Sequence, residues 1–493
     1  MAIEREIKLA IAPDAVAALC AHPLLALLAD APPTQRWLRS RYYDLDDGRL
    51  AAAGIALRLR DDGGSVWFTL KTAGSGFGHA RGEWEWRSEG DTPTLADVQR
   101  ALRDTPLHTL GLDAQALHAG LRARFGTAFE RRSWQLRWRD SVVELALDRG
   151  SCQAWPDGGL REAPLCEVEL ELRHGDFDVC WDLAWALAQD IALPPGPLNK
   201  AQRAAALASG MQPQAPADAA PIAHDATLTD ALRPWMGGAA TALALWAERV
   251  RGAEPAHAAR DVHQLRVVLR RLRSVLRWLR GHAPRRALDW FEAELRWTMQ
   301  VAAPLRDGDV AVQLLHELAA AEPVLQRAQQ PLAAQRAALV AHLGGARFAR
   351  LLLALARWAE CGAFDGSARD FAQRVLQRET RCWRSARRRA RDAIGRGDAT
   401  LDADAVRALH ALRIRCKRLR LASDRFGALG KRPHASAELG RRCAQLQDLL
   451  GAWHDAQRLH DALRDVAEAE TLRPRLLARG ADALRKTAAL LRA

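Results

Sequence analysis

Acids and bases alternate with apolar side chains in the first segments of the chain. Glu4, Glu6 and Lys8 are separated by single residues, so they share one face of a predicted strand. Five later segments repeat this alternation, with charged faces that carry Arg58 and Arg60; Lys71; Arg81, Glu83 and Glu85; Glu144 and Asp148; and Glu167, Glu169 and Glu171. One interpretation of each face is the solvated side of an antiparallel sheet.

These six faces differ from an ordinary solvated surface, because they consist almost entirely of carboxylates and of guanidinium or ammonium groups. Clustered charges inside a closed sheet are unfavourable unless they are paired or bind ions. Carboxylates are ligands for hard cations such as Mg²⁺ and Mn²⁺, whereas Arg and Lys bind phosphate oxygens. The pattern therefore indicates a site for a metal-bound polyanion.

Cationic side chains recur at helical spacing in the second half of the chain. Steps of three and four residues place each of these sets on one helix face: His263, Arg266, Arg270 and Arg273; His410, Arg413, Lys417 and Arg420; and Arg381, Arg384, Arg388 and Arg391. A solvated amphipathic helix is the simplest interpretation. Few acids are interspersed, however, and neighbouring like charges destabilise a helix slightly. The stripes therefore favour a phosphate chain or a nucleic-acid backbone as ligand.

The spacing of these sets indicates an internal duplication. Asp307 follows His263 by 44 residues, and Asp455 follows His410 by 45 residues. An offset of 147 residues between the two His residues predicts two related helical bundles.

Periodicity and proline spacing predict the domain boundaries. Apolar residues recur mostly at period two before residue 203 and at helical period later, and Pro213, Pro216 and Pro221 interrupt the segment between. We predict an α+β domain at 1–203, an Ala/Pro-rich linker at 204–225 and an all-α domain at 226–493, with repeats at about 226–370 and 371–493.

The two halves of the chain carry opposite net charge. Residues 1–203 contain 24 Lys and Arg against 29 Asp and Glu, a net charge of −5, and the rest contains 48 against 30, a net charge of +18. The basic half is expected to bind a polyanion or an anionic surface. The eight Cys form no CxxC pair, which indicates reduced thiols. No apolar run approaches the length of a membrane span, so we expect a cytoplasmic protein without a membrane partner.

The ordered series E-x-E-x-K, paired Arg, Lys, E-x-E, Asp, E-x-E and a late Lys resembles the CYTH family of triphosphate tunnel metalloenzymes, over about residues 1–203. The resemblance implies a closed, eight-stranded antiparallel β-tunnel with flanking helices, and Mg²⁺ or Mn²⁺ as cofactor. It implies that phosphate is bound by Lys8, Arg58, Arg60, Lys71, Arg81, Arg131 and Lys200. It assigns the metal to Glu4, Glu6, Glu85, Asp148, Glu167 and Glu169. Glu83 is an alternative to Glu85, and Arg132 to Arg131.

This resemblance implies metal-assisted hydrolysis of a phosphoanhydride. No aromatic slot or base-reading group is evident, which favours inorganic tripolyphosphate, cleaved to pyrophosphate and phosphate, as the substrate. The alternatives are a nucleoside or thiamine triphosphatase, an adenylyl cyclase, and a non-catalytic polyphosphate-binding protein that is associated with granules.

The duplicated H-x-x-R-x-x-x-[RK] pattern resembles the CHAD domain, a conserved-histidine helical domain associated with inorganic polyphosphate, over about residues 226–493. The resemblance implies that polyphosphate binds to His263, Arg266, Arg270, Arg273, His410, Arg413, Lys417 and Arg420. It gives Asp307 and Asp455 a structural role, orienting basic partners. Nonspecific nucleic-acid binding by the basic half is the alternative, and the absence of aromatic side chains along the Arg stripes argues against stacking on a single strand.

Overall fold

The structure is a computed structural model that describes residues 2–72, 78–155, 159–216, 221–252, 257–395 and 402–492. The chain divides into two compact units. The N-terminal unit comprises 1–217, 236–248 and 344–361, and the C-terminal unit comprises 218–235, 249–343 and 362–493.

The N-terminal unit contains one curled antiparallel sheet. Within the described residues its strands are β1 (Ala2–Ala10), β2 (Thr34–Asp44), β3 (Ile55–Asp61), β4 (Val66–Thr72), β5 (Gly78–Ser88), β6 (Arg122–Trp138), β7 (Ser141–Ala154) and β8 (Arg161–His174). Hydrogen bonds connect them in the order β1-β5-β4-β3-β2-β6-β7-β8. β1 pairs with β5 through residues 2–7 and with β8 through residues 6–10, so Glu6 and Ile7 connect to both neighbours. The predicted α+β class with eight antiparallel strands is confirmed.

Short helices surround this sheet: α1 (Val16–Cys20), α2 (Pro23–Leu28), α3 (Arg49–Ala52), α4 (Leu95–Asp104), α5 (Ala114–Gly120), α6 (Asp178–Leu187) and α7 (Lys200–Ser209). The apolar face of β3 and β4 carries Leu57, Phe68 and Leu70, which pack with Val98 and Ala101 of α4. Since helices cover this apolar face, the charged side chains of the same strands point to the inner face of the sheet.

α7 lies on that inner face. Ala204 is fully buried in a cluster with Leu38 of β2, Phe129 of β6, Cys152 of β7 and Leu165 of β8. The predicted start of the linker at residue 204 is therefore wrong, because α7 continues to Ser209 and packs as part of the domain. Apolar contact with the sheet outweighs the Ala-rich composition that suggested a linker. The segment at 211–216 has no regular secondary structure, in agreement with its prolines.

The described residues after 221 form helices: α8 (Leu228–Gly252), α9 (Ala258–Trp278), α10 (Arg285–Glu317), α11 (Glu322–Gln329), α12 (Leu332–Gly344), α13 (Ala346–Cys361), α14 (Ala368–Gly395), α15 (Ala403–Phe426), α16 (Pro433–Ala462) and α17 (Leu472–Arg492). None of the described helices alone has the length and hydropathy of a membrane span, whereas 322–344 and 346–361 pass that test only together, with a bend of 53° between them.

Helix lengths agree with the predicted duplication. α8, α9 and α10 contain 25, 21 and 33 residues, and α14, α15 and α16 contain 28, 24 and 30. His263 lies on α9 and Asp307 on α10, while His410 lies on α15 and Asp455 on α16. Each His-Asp pair therefore occupies the second and third helices of its set.

Candidate functional site

Three buried carboxylates meet on the inner face of the sheet. Asp148 of β7 lies directly opposite Arg131 of β6 and Glu167 of β8, and Glu169 lies opposite Lys8 of β1. Oxygen atoms of Asp148, Glu167 and Glu169, which we call the acidic cluster, lie within 4.8 Å of one another. Strand register thus brings together acids that are up to 21 residues apart in the sequence.

Cationic side chains surround the acidic cluster. Lys200, the first residue of α7, places its Nζ 2.7 Å from Asp148 and 2.8 Å from Glu169, and it also pairs with Glu167. Arg131 donates from Nε and Nη2 to both oxygens of Asp148 at 2.7 Å and also pairs with Glu169. Lys8 Nζ lies 3.1 Å from Glu169. Each acid therefore has at least one cationic partner.

The pKa values of the buried charged groups at this cluster shift in different directions. Burial acts to raise the pKa of Glu169, but Lys200, Lys8 and Arg131 together hold it well below its usual range. Burial raises the pKa of Glu167 despite the opposing effect of Lys200. Burial disfavours the charged form of Lys200, yet the three carboxylates keep its pKa well above the ordinary lysine value. Glu169 and Lys200 are therefore charged at neutral pH.

A second set of charges occupies β3, β4 and β5 on the same face. Arg58 Nη2 donates to Thr69 Oγ1 at 3.1 Å and lies 3.8 Å from Glu83 and 3.6 Å from Glu85. Lys71 Nζ lies 2.9 Å from Glu83. Glu83 and Glu85 are not exclusive alternatives, because both point to the inner face; Glu83 is the more enclosed of the two.

Arg60 lies between these two groups of charges. Burial, with the neighbouring charges of Arg58 and Arg131, lowers the pKa of Arg60 to about 10. Within the described residues, the buried Nε atoms of Arg58 and Arg60 have no hydrogen-bond partner. Buried donors are almost always satisfied in proteins. These unpartnered donors therefore fit an anion that accepts from both guanidinium groups.

Burial decides between the two interpretations of the charged faces. Glu6 is 1% exposed, Asp148 0% and both Lys8 and Arg58 5%, so they do not form a solvated surface. Arg132, the alternative to Arg131, lies on the outer face, where its guanidinium stacks over the Trp134 ring. The side chains of Glu4 and Arg81, two of the predicted site residues, lie outside the described residues.

The acidic cluster has the donor set of a hard divalent cation. Three carboxylates supply oxygen ligands of the kind that Mg²⁺ and Mn²⁺ prefer. The ammonium group of Lys200 now lies among these oxygens, so a cation would replace it as their partner. Thr69, which connects Arg58 to Glu85 through its hydroxyl, is a contact that the charge pattern did not predict.

In the C-terminal unit the stripes of α9 and α15 approach each other. Burial, followed by the charges of Arg413 and Arg270, lowers the pKa of Lys417 to about 7. Burial, followed by Arg266 and Arg413, lowers that of Arg270 to about 10. We call Arg266, Arg270, Arg306, Arg413 and Lys417 the basic cluster. Mutual repulsion between residues of different repeats shows that this cluster combines both stripes.

Two His and two Asp residues border the basic cluster. Burial, with Arg306 and Arg270, lowers the pKa of His263 to about 4, so its ring is neutral at pH 7. Burial also lowers the pKa of His410, whose ring centroid lies 5.7 Å from that of His454. Oδ2 of Asp307 forms an ion pair with Nη1 of Arg458 at a distance of 2.7 Å. Burial opposes ionisation of Asp455, but His454 and Arg413 hold its pKa below the usual value.

Two of the predicted polyphosphate-binding residues face away from the basic cluster. Arg273 lies 3.7 Å from Glu292, and Arg420 is exposed, 3.8 Å from Asp424. Conversely, Arg306 belongs to the basic cluster and Arg458 approaches it, although no repeated stripe contains either residue. Arg306 directly precedes Asp307 on α10 and Arg458 follows Asp455 by three residues on α16, and this proximity was the available signal in the sequence.

Comparison with known families agrees with both regions. Residues 2–203 match the CYTH domain and residues 237–464 match the CHAD domain. The chain carries a CYTH domain followed by a CHAD domain. The predicted family is therefore confirmed, and the acidic cluster belongs to the CYTH domain, whereas the basic cluster belongs to the CHAD domain.

Two curated relatives match different shares of the chain. An inorganic triphosphatase of Haemophilus influenzae is 31% identical over 210 residues, which are 42% of this chain and 55% of that protein. The chain thus matches about half the length of this relative. An uncharacterized protein of Mycobacterium tuberculosis is 27% identical over 454 residues, which are 86% of this chain and 81% of that protein.

Solved structures show similarity to each domain separately. The CHAD domain from the plant Ricinus communis is 25% identical with a TM-score of 0.44, covering 57% of this chain and 95% of that one. A candidate adenylyl cyclase from Hippeastrum, described as having a dominant triphosphatase activity, is 19% identical with a TM-score of 0.30, covering 42% and 97%.

Proposed function

We propose that the CYTH domain is a metal-dependent inorganic triphosphatase that cleaves tripolyphosphate to pyrophosphate and phosphate within an enclosed interior of the curled sheet. The observation that supports this most strongly is the buried inner face, where the acidic cluster lies beside cations with unpartnered donors. A tripolyphosphate that carries divalent cations matches both signs of charge. The similarity to an inorganic triphosphatase over 42% of the chain supports the same substrate class.

The cations of β3 and β4 are suited to hold the phosphate chain. The Nε donors of Arg58 and Arg60 have no partner among the described residues, and Lys71 lies on the neighbouring strand with its ammonium toward the same face. Fixed guanidinium and ammonium groups orient the chain and stabilise charge that develops on its oxygens during cleavage. Their positions are set by strand register and burial, so little reorganisation accompanies binding.

The acidic cluster is suited to hold Mg²⁺ or Mn²⁺. Such a cation, when bound, supplies positive charge that neutralises the phosphate oxygens. Arg131 keeps Asp148 and Glu169 in place through its fork of hydrogen bonds, and Lys8 of β1 contacts Glu169. These residues therefore position the carboxylates, while Lys200 occupies the cluster when no other cation does.

Phosphate release from tripolyphosphate, ATP and thiamine triphosphate tests the proposal. We expect tripolyphosphate to be preferred, activity to be lost on chelation, and Asp148→Asn to reduce turnover by at least about a hundredfold. Glu162→Gln is the control, because Glu162 lies on the same sheet as an exposed residue outside the cluster. Faster release from ATP or thiamine triphosphate would show that tripolyphosphate is not the preferred substrate. Phosphate release without a metal would contradict the proposal.

One observation favours a non-catalytic receptor as the second candidate. The unpartnered Nε donors of Arg58 and Arg60, within the described residues, fit a phosphate chain whether or not it is cleaved. Tight binding of tripolyphosphate without turnover, at any Mg²⁺ or Mn²⁺ concentration, would select this candidate.

We further propose that the basic cluster of the CHAD domain binds inorganic polyphosphate. Burial, followed by neighbouring cations, lowers the pKa of Lys417 and of Arg270, so a bound anion would stabilise their charged forms. Polyphosphate titration of the full chain should show weaker binding in Arg270→Gln and Arg413→Gln than in Arg389→Gln, an exposed control on α14. Stronger competition by DNA than by polyphosphate would favour nucleic acid instead. Cytoplasmic and granule location remains a prediction.

A further inference from the structure

A groove of about 1010 Å³ lies on the C-terminal unit between α14 and the start of α16. The third arginine stripe, Arg381, Arg384, Arg388 and Arg391, forms one side, and Lys431 and Arg432 contribute from the residues that precede α16. Among the described residues that line the groove, none is acidic. The groove shares no lining residue with the basic cluster, so it is a separate concentration of positive charge.

The arginines of the stripe are available to a ligand. From Arg381 to Arg391 the helix advances by about 15 Å, and the side chains at 381, 384 and 388 are exposed. Within the part of the chain that the structure describes, these three have no ion-pair partner, and Arg391 pairs only with the adjacent Asp392, at 3.4 Å. The stripe thus presents a line of guanidinium groups that protein carboxylates leave almost uncompensated.

Two further arginines fix the floor of the groove. Arg387 Nη2 donates to the carbonyl of Leu491 at 2.8 Å, and Arg442 Nη2 donates to that of Leu490 at 2.7 Å. Both therefore hold the carbonyl end of α17, where cations are favoured. Their buried Nε atoms have no partner within the described residues. Burial, followed by Arg442 and Arg391, lowers the pKa of Arg387, in agreement with uncompensated charge.

The start of α16 adds to this positive potential. α16 has 30 residues and begins at Pro433, and no side chain in the described part of the chain caps its first amides. Ala435 and Ser436, in its first turn, line the groove. Free amides at the start of a long helix attract anions. The amides and the guanidinium groups therefore favour the same kind of ligand.

Among the described residues that line it, the groove has no exposed aromatic side chain on which a nucleobase could stack. Trp383, the aromatic side chain of its lining, is 3% exposed and lies beneath the Arg387 guanidinium, at 5.7 Å. Single-stranded nucleic acids depend on stacking against aromatic side chains. A line of guanidinium groups without such a surface matches a chain of phosphates that carries no bases.

We propose that this groove is a second polyanion site, which binds a linear inorganic phosphate chain along α14 independently of the basic cluster. The proposal goes beyond the function given above, because it depends neither on hydrolysis in the CYTH domain nor on binding at the basic cluster. The site belongs to the second set of helices alone: α8, the counterpart of α14, has no arginine between Arg233 and Arg249.

Titration of the full chain with inorganic polyphosphate tests this site. The variant is Arg381→Gln/Arg384→Gln/Arg388→Gln. The control is Arg374→Gln/Arg378→Gln/Arg389→Gln, which removes three exposed arginines of α14 that do not line the groove. We expect the groove variant to bind polyphosphate about tenfold more weakly than the control and to reduce the slope of log affinity against log salt by about two.

The double variant Arg270→Gln/Arg413→Gln removes two cations of the basic cluster, so that binding to the groove can be measured separately in this background. Binding that remains there and that the groove variant abolishes would support the groove even if the basic cluster binds nothing. Equal losses in the groove and control variants would overturn the proposal. A groove variant that loses single-stranded DNA binding but keeps polyphosphate binding would also overturn it, because the ligand would then be nucleic acid. Circular dichroism verifies that each variant is folded.

Discussion

Lys200 is the residue on which the chemistry of the acidic cluster depends. Its ammonium contacts Asp148, Glu167 and Glu169, the same three groups whose oxygens suit a divalent cation. The late lysine of the sequence pattern is predicted to bind phosphate, which stays a prediction, and in the structure its ammonium contacts carboxylates. Spacing alone did not distinguish these roles, because both place the side chain on the inner face.

Removing this ammonium should strengthen metal binding. In Lys200→Met the acidic cluster loses the cation that contacts all three carboxylates, while Arg131 and Lys8 remain, so a divalent cation meets one competitor fewer. We expect Mn²⁺ to raise the melting temperature of Lys200→Met more than that of the wild type, with about tenfold tighter binding. The control is Lys486→Met, whose lysine pairs with Asp482 and is 62% exposed. Equal Mn²⁺ responses of wild type and Lys200→Met would contradict this assignment.

Lys417 should make polyanion binding by the CHAD domain pH-dependent. Its pKa is lowered to about 7 by burial, Arg413, Arg270 and Arg266, against the attraction of Asp455. Above that pH the free protein holds Lys417 neutral, so binding of an anion must restore the proton. We expect affinity for polyphosphate to fall by about tenfold from about pH 6 to about pH 9, since roughly one charge-assisted contact is lost.

The control for this prediction is Lys417→Arg, which keeps its charge throughout that range. Its affinity profile should be flatter than that of the wild type, as measured by calorimetry at constant ionic strength.

The lowered pKa of Lys417 also affects the stability of the fold. Between about pH 7 and about pH 10 the unfolded lysine binds a proton that the folded one does not, so this residue makes the free energy of unfolding rise with pH. Parallel binding profiles would exclude Lys417 as the titrating group.

Among the elements, β7 depends on Gly150, which lies directly opposite Phe129 of β6. A Cβ at Gly150 would lie 2.1 Å from the carbonyl oxygen of Ala128 and 2.5 Å from the Cα of Phe129. Both are backbone atoms of β6, which cannot move without disturbing the ladder that carries Arg131 opposite Asp148. The position of Asp148 in the acidic cluster therefore depends on the close approach of β6 and β7 at Gly150.

We expect Gly150→Ala to lower the free energy of unfolding by about 2 kcal/mol or more, because the strand must shift to avoid the clash. Gly64→Ala is the control, since its Cβ would come no closer than 3.9 Å to Asp62, and should change stability by less than about 0.5 kcal/mol. Urea unfolding followed by circular dichroism measures both. Similar stabilities of the two variants would show that β6 and β7 adapt readily.

The period-two pattern predicted the strand faces because the alternation belongs to each strand alone. In β8, Val168 and Leu170 are fully buried on the outer face, whereas Glu167 and Glu169 lie on the inner face. The packing of α7 could not be predicted in this way. Ala204 lies in an Ala-rich segment that resembles a linker, and its burial depends on a surface formed by strands far away in the sequence.

Repeats in the sequence likewise predicted α9 and α15 but not all the members of the basic cluster. His263 and His410 share a spacing that the helices preserve. Arg306 is contributed by α10, and its approach to His263 depends on packing between helices rather than on one periodic stripe. Arg273 follows the stripe but turns toward Glu292. Periodicity identifies a helix face, and tertiary packing decides which part of that face meets a partner.

For the molecule as a whole, the two domains contain two kinds of charged site. The CYTH domain buries acids and bases together, as a metal-bearing ligand requires, whereas the basic cluster and the groove of the CHAD domain contain mostly cations. The net charges of −5 and +18 in the two halves reflect this division. We therefore expect two separable activities, hydrolysis in the first domain and retention of phosphate chains in the second.

The most direct test of this account is a crystal of the protein soaked with tripolyphosphate and Mn²⁺ and measured at the manganese absorption edge. We predict an anomalous peak coordinated by Asp148, Glu167 and Glu169, with phosphate density against Arg58 and Lys71 and Lys200 displaced from the carboxylates. Manganese and phosphate found only on the outer surface, with the acidic cluster still closed around Lys200, would contradict the account.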